Sequence, residues 1–269
     1  MRPFLIAVAL CFGACAGPLL VRAAYRLSVP PGEPWRRACP AGHPLAPRPR
    51  GWLGPGRCAD CAAAIGVSGP AENGAGNGAA GGAAAPGPGY GTSPLRLAAV
   101  TAACCAALAA AVGARPELVV WLLAVPVVVL LATVDLAVQR LPDVLTLPLA
   151  VGVIAGLAIA SLFDAADGGL GRALLGGAVL SGVYFTLFLI NPLGMGFGDV
   201  KLAITIGVAL GWYGWDALVL GTFVGFLLAA GYGGALVIAR RAGRGTTVAF
   251  GPFMAAGALA ALIVAGLAS

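Results

Sequence analysis

Residues 118–138 read LVVWLLAVPVVVLLATVDLAV, with Asp135 as the only charged side chain in the stretch. An apolar run of this length matches the roughly 20 residues that a helix needs to cross a bilayer. The chain continues as QRLPDVLTLPL at 139–149, where Pro142 and Asp143 mark a turn ahead of another apolar run. Pro126 removes one backbone donor inside the first run and is expected to kink the helix there. This alternation of long apolar run and short polar turn, repeated on both sides, decides the fold class.

Working outward, apolar runs predict spans over about 97–113, 118–138, 145–162, 171–190, 200–212, 216–239 and 248–267. A further run covers Pro3 to Leu20. The expected fold is therefore all-α, a polytopic membrane protein of about eight transmembrane helices with a small Cys-containing loop region. Four parts are expected: a first helix over 1–24, a polar Cys/His segment over 25–67, a linker over 68–95 and a seven-helix domain over 96–269. The linker is rich in Gly, Ala and Pro and reads as low-complexity sequence. Arg2 followed by an apolar run also fits a secretory signal peptide. Because the run ends in Arg22 and Arg26, we read it as an uncleaved first span.

Composition excludes the alternatives. Of 269 residues, 60% are hydrophobic and only 10% charged, against about 25% charged in a soluble domain. The mean hydropathy is +0.96. A soluble globular enzyme and a disordered chain are both excluded. The 42 glycines and 20 prolines follow no period of three, so a collagen helix is excluded as well.

The net charge of +6 does not indicate a nucleic-acid partner, because no aromatic stacking surface is interleaved with the arginines. The basic residues instead read as topology signals. Arg22, Arg26, Arg96, Arg140, Lys201, Arg240, Arg241 and Arg244 fall on one side of an eight-span arrangement, and only Arg2, Arg115 and Arg172 on the other. The first side is expected to be cytoplasmic, with both termini outside.

Acids inside a membrane are costly and usually functional. Asp164, Asp167, Asp216 and Glu117 are expected in outer loops, and Glu33, Asp60 and Glu72 in the polar segment. Asp135, Asp143 and Asp199 remain at the cytoplasmic edge. Asp135 is expected in the last turn of its helix and Asp143 in a turn position. Asp199 ends GMGFGD at 194–199, where Gly194, Gly196 and Gly198 allow close backbone approach and positive φ values. Such a loop is tolerated at membrane depth where it lines a cavity. Two carboxylates brought together would share a proton, one acting as base and one as acid. They could activate a water for peptide hydrolysis, and they titrate as a unit. The alternative use is a proton-coupled transporter or channel.

Three segments carry a resemblance. VDLAVQRLPDVLTLPL from Val134, GMGFGDVKL from Gly194 and AFGPFMAAGA from Ala249 resemble, in order and spacing, the motifs of type IV prepilin peptidases, membrane aspartyl proteases with a GxGD motif. The resemblance covers about residue 97 to the end. It implies an aspartic endopeptidase of the plasma (inner) membrane. Such an enzyme removes the basic leader of prepilins or pseudopilins after a Gly, at the cytoplasmic face. Asp135 and Asp199 match the catalytic positions, and Gly196, Phe197, Gly198 and Lys201 form the expected active-site loop. Lys201 reads either as a charge partner for a carboxylate or as a lysine snorkelling to the interface. Proteolysis of this kind needs no cofactor. The partners implied are the prepilin or pseudopilin substrate and the lipid bilayer.

The polar segment holds CPAGH at 39–43 and CADC at 58–61. Cys58 and Cys61 have the spacing that lets two thiolates share a metal, and Cys39 and His43 would complete a Cys3His zinc set. In the reducing cytosol a metal is favoured over a disulfide. Three free thiols are the alternative. Many prepilin peptidases carry four cysteines here, and His43 departs from that pattern. In bifunctional members the region accompanies N-methylation from S-adenosylmethionine. No Gly-rich cofactor turn after a strand is visible.

Overall fold

The computed structural model describes residues 2–30, 32–47, 51–67, 89–192, 194–239 and 248–268. The described residues are helical with no strand beyond two isolated bridges, Ala38 with Pro44 and Arg57 with Gly89. The helices are α1 (Arg2–Leu27), α2 (Ala59–Val67), α3 (Pro94–Val112), α4 (Glu117–Val138), α5 (Asp143–Ala160), α6 (Leu170–Ile190), α7 (Phe197–Tyr213), α8 (Trp215–Ile238) and α9 (Gly251–Ala268). Seven of them, all except α2 and α7, are long and apolar enough to cross a membrane. The protein is an integral multi-pass membrane protein. Most of the expected linker (68–88) and Arg240, Arg241 and Arg244 lie outside the described residues.

The remaining expected span, over 200–212, is α7, the exception that shapes the site. Its 17 residues extend only about 26 Å, short of the ~30 Å hydrocarbon core. It can be short because it is wrapped by protein: Val200, Leu202, Ala203, Ile206, Val208, Leu210 and Trp212 are all buried against α5, α6, α8 and α9. The short α2 was not expected from the sequence.

Without a hydrophobic drive between helices in lipid, close packing depends on small residues. Gly13 and Gly17 bring α1 onto α3 so closely that a Cβ at Gly13 would lie 2.6 Å from the Thr101 carbonyl oxygen. Gly176 and Gly177 of α6 meet Gly207 and Gly211 of α7 in the same way. A Cβ at Gly207 would collide with the Gly176 carbonyl oxygen and lie 2.8 Å from the Gly177 Cα, both backbone atoms that cannot swing aside. Gly207→Leu is therefore expected to cost about 3 kcal/mol or more, read as a lower unfolding temperature in detergent. Unchanged unfolding would show that α6 and α7 are not seated on this glycine contact.

At one end of the bundle the chain between α1 and α3 folds back onto α1. Arg22 Nε donates to the Pro55 carbonyl (3.1 Å) and Arg26 to the Ala46 carbonyl (2.8 Å). The Tyr25 hydroxyl donates to Ala38 (3.2 Å). The turn after α4 joins this layer through Arg140, which donates to the Pro30 carbonyl at 3.4 Å.

One acid departs from expectation. Glu117 opens α4 rather than lying in an outer loop, and it is fully buried, with no hydrogen-bond partner for either carboxylate oxygen among the described residues. Neighbouring Arg115 pairs with Asp167 at 3.4 Å.

Candidate functional site

Asp135 and Asp199 lie at the same end of the bundle, both buried, on two different helices. They are close enough for the charge of Asp135 to act on Asp199. Asp135 stands in the last turn of α4. Its backbone carbonyl accepts the Gln139 N–H (2.7 Å), which closes the helix with Gln139 in the left-handed conformation, φ 50°. A non-glycine residue in that region is uncommon and marks a constrained turn. The turn carries the chain through Leu141 to Pro142, the residue that caps α5.

Each carboxylate is held by one backbone donor. The Gly251 N–H, at the start of α9, donates to Asp135 Oδ2 at 2.9 Å. The Gly196 N–H donates to Asp199 Oδ2 at 3.1 Å, while the Asp199 N–H donates back to the Gly196 carbonyl at 3.0 Å. This reciprocal pair is a capping arrangement at the α7 N-terminus. The partial positive charge of the helix end favours a carboxylate there. Each Oδ2 is thereby fixed by a backbone N–H.

The glycines act by size. A Cβ at Gly198 would lie 2.8 Å from the Leu141 Cβ, and one at Gly251 would lie 2.8 Å from Asp135 Oδ2. Neither Gly194, Gly196 nor Gly198 has a positive φ, so the conformational freedom expected from the sequence is not used. The expected loop is also mostly helix: Gly196 is the cap, and Phe197, Gly198 and Lys201 stand in the first turns of α7. The reason is that Asp199 supplies the N-terminal cap interactions itself.

Lys201 pairs with Asp143 at 2.6 Å and lies over the Phe197 ring at 4.9 Å. The pair ties the start of α5 to the start of α7. Asp143, the first residue of α5, is well exposed, unlike the two buried aspartates.

Sequence reasoning did not single out the aromatic group beside the pair. Tyr184 of α6 is buried, and its hydroxyl is acted on by the Asp199 charge. Its ring packs on Phe226 of α8 (5.7 Å) and on Phe250 (5.9 Å), the residue before Gly251. Phe250 and Gly251 lay inside a quoted motif, but nothing local says that this segment meets α4.

The second cluster lies beside the end of α1. Cys39, His43, Cys58 and Cys61 bring four ligand atoms within 4.8 Å of one another. Cys39 Sγ is 3.8 Å from Cys61 Sγ, and His43 Nδ1 lies 3.6, 3.7 and 3.2 Å from the sulfurs of Cys39, Cys58 and Cys61. A tetrahedral zinc bound to three sulfurs and one nitrogen sets its ligand atoms about 3.5–3.8 Å apart. The cluster thus fits a metal, and the displaced His43 reaches it because a turn, closed by Gly42 N–H donating to the Cys39 carbonyl (2.9 Å), folds it back. Burial, then hydrogen bonds and charge from Cys58 and Cys39, push the Cys61 thiol up to about 12. Burial also opposes the Cys39 thiolate, but hydrogen bonds from the His43 and Ala41 backbone and from the Cys61 and Cys58 thiols outweigh it and hold Cys39 below the ordinary thiol value.

Known proteins match part of the chain. Residues 118–239 match the type IV leader peptidase family. The chain is similar to proteins named prepilin leader peptidase/N-methyltransferase. That of Pseudomonas aeruginosa is 36% identical over 135 residues, 49% of this chain and 45% of the relative. That of Aeromonas salmonicida is 33% identical over 138 residues, 51% of this chain and 46% of the relative. That of Escherichia coli is 35% identical over 136 residues, 49% of this chain and 57% of the relative. The chain thus spans about half the length of the curated relatives it matches. No solved structure matches it. The stretch matched by the type IV leader peptidase family, 118–239, carries both aspartates.

Proposed function

We propose that the protein is a membrane aspartic endopeptidase that removes the basic leader of type IV prepilins or pseudopilins, cutting after a Gly at the cytoplasmic face of the inner membrane. The observation that carries this is the buried pair Asp135 and Asp199, each fixed through Oδ2 by a glycine N–H at one end of the bundle. With one proton shared between them, one free Oδ1 takes a proton from a water while the other carboxyl hydrogen-bonds the scissile carbonyl. The water oxygen bonds to the carbonyl carbon. The C–N bond then breaks, and the leaving amine takes a proton from the pair. The products are a leader carboxylate and a new N-terminus, with no cofactor needed. The basic residues flanking this end of the bundle, Arg22, Arg26, Arg96, Arg140 and Lys201, support the cytoplasmic orientation.

The test is incubation of the full-length protein, in membranes, with a prepilin carrying a basic leader, a Gly and an apolar helix. Mass spectrometry should find the cut directly after the Gly. An intact prepilin, or a cut elsewhere, would overturn the reading. The same spectrum reads methylation, because a product heavier by one methyl group would reveal the N-methyltransferase activity named in the relatives.

We also propose that Cys39, His43, Cys58 and Cys61 hold a structural zinc. The metal would lock the segment that Arg22 and Arg26 anchor on α1. Purified protein is expected to carry about one zinc per chain, measured by elemental analysis, and Cys58→Ser or Cys61→Ser to lose it. Zinc content unaffected by either substitution would remove the assignment.

A further inference from the structure

We propose that Tyr184 is a third catalytic residue, whose hydroxyl donates a hydrogen bond to the scissile carbonyl oxygen as that oxygen becomes part of the tetrahedral intermediate. The inference deepens the peptidase reading above and rests on it.

The packing of α6 against α7 puts Tyr184 beside Asp199. The two helices run antiparallel, and their glycines fix the register: Gly176 and Gly177 lie against Gly207, and Ala173 lies against Gly211. Tyr184 stands seven residues beyond Gly177 on α6, and Val200 stands seven residues before Gly207 on α7. Seven residues make about two helical turns, so both side chains keep the faces that the glycines set. Tyr184 therefore meets α7 at the level of Val200, the residue after Asp199. The charge of Asp199 acts on its hydroxyl accordingly.

The ring is held from the other side by two more rings. Tyr184 packs on Phe226 of α8 at 5.7 Å and on Phe250 at 5.9 Å, and Phe226 and Phe250 lie 5.1 Å apart. Phe250 is followed by Gly251, whose N–H holds Asp135 Oδ2. One side chain thus packs on the segment that aims Asp135 and stands level with Asp199.

The polar end of this ring has no use in the fold itself. Tyr184 is only 2% exposed, and a buried tyrosine hydroxyl ordinarily finds a hydrogen-bond partner. Tyr213 accepts one from Trp121 Nε1 at 3.1 Å, and Tyr25 donates one to the Ala38 carbonyl at 3.2 Å. The Tyr184 hydroxyl makes none among the described residues. The other donors near the pair are engaged. The Gly196 and Gly251 N–H groups hold the two Oδ2 atoms, and Lys201 pairs with Asp143.

A carbonyl attacked by water gathers negative charge on its oxygen. A donor already aimed at that oxygen lowers the barrier, and more so in a buried site than in water. A tyrosine hydroxyl suits the task because it ordinarily keeps its proton at neutral pH. It would act beside the carboxyl that hydrogen-bonds the same carbonyl.

The test uses the full-length protein in membranes and measures prepilin cleavage. Tyr184→Phe removes one oxygen and keeps the ring contacts. It should lower kcat on the order of 10²-fold with KM unchanged, because the lost bond forms fully only in the transition state. Replacing Tyr184 with 4-aminophenylalanine, which returns an N–H donor to the same ring, should recover most of that loss. Tyr232→Phe, at a half-exposed ring on α8, should keep the wild-type kcat. Wild-type kcat for Tyr184→Phe, an equal loss in Tyr232→Phe, or a loss that 4-aminophenylalanine does not recover would overturn the assignment. Cleavage by the wild-type protein, measured alongside, separates the two claims. If the wild type cuts prepilin and Tyr184 fails these tests, only the role of Tyr184 falls. If the wild type does not cut prepilin, the peptidase reading falls, and the role of Tyr184 falls with it.

Discussion

Asp199→Asn is expected to lower prepilin cleavage by at least about a thousandfold, with Asp135→Asn close behind, because general acid–base groups contribute on the order of 10²–10⁴ each and the pair shares one proton. The amide keeps the shape of the carboxylate but cannot take a proton from water. At position 199 it still accepts the Gly196 N–H through its oxygen, so the cap at the start of α7 persists. At position 135 it still accepts the Gly251 N–H. Both variants should therefore insert and fold, and membrane abundance is the control. Asp143→Asn makes the contrast. It breaks the exposed ion pair with Lys201, an interaction worth at most about 1 kcal/mol, and should leave most of the cleavage rate.

The second large effect is expected from Gly251→Ala. The added methyl would stand 2.8 Å from Asp135 Oδ2, 3.4 Å from its Cγ and 3.5 Å from a Leu141 methyl. The carboxylate must move, and the 2.9 Å hydrogen bond that aims it must lengthen or turn. A misplacement on the order of 1 Å can cost about 100-fold in rate. The fall should appear in kcat, with KM little changed, because the substitution disturbs the aim of the carboxylate. Stability should hold, since alanine is about 1 kcal/mol better than glycine in a helix. A wild-type kcat for Gly251→Ala would show that this donor does not aim Asp135.

The spans were legible because membrane helices are nearly continuous apolar runs broken by polar turns, and hydropathy needs no knowledge of partners. The gathering of Cys39 and His43 with Cys58 and Cys61 was legible because each pair is local and the second has metal-ligand spacing. What stayed hidden was set by contacts between distant segments. Glu117 read as a loop residue, yet it is buried at the start of α4, where its charge acts on Tyr213 at the end of α7. Gly196, Phe197 and Gly198 read as a loop because glycines usually break helices. In the folded chain, close approach to Leu141 explains Gly198, and helix capping explains Asp199. The Gly251 N–H lies 116 residues from Asp135, and no local pattern reports such a meeting.

The proposed peptidase needs the two buried aspartates to act as one catalytic unit. Its most direct test is prepilin cleavage by the wild-type protein, Asp135→Asn and Asp199→Asn, compared at equal amounts of inserted protein. Product from the wild type alone is the predicted result. Processing by either variant at a rate near that of the wild type would contradict it.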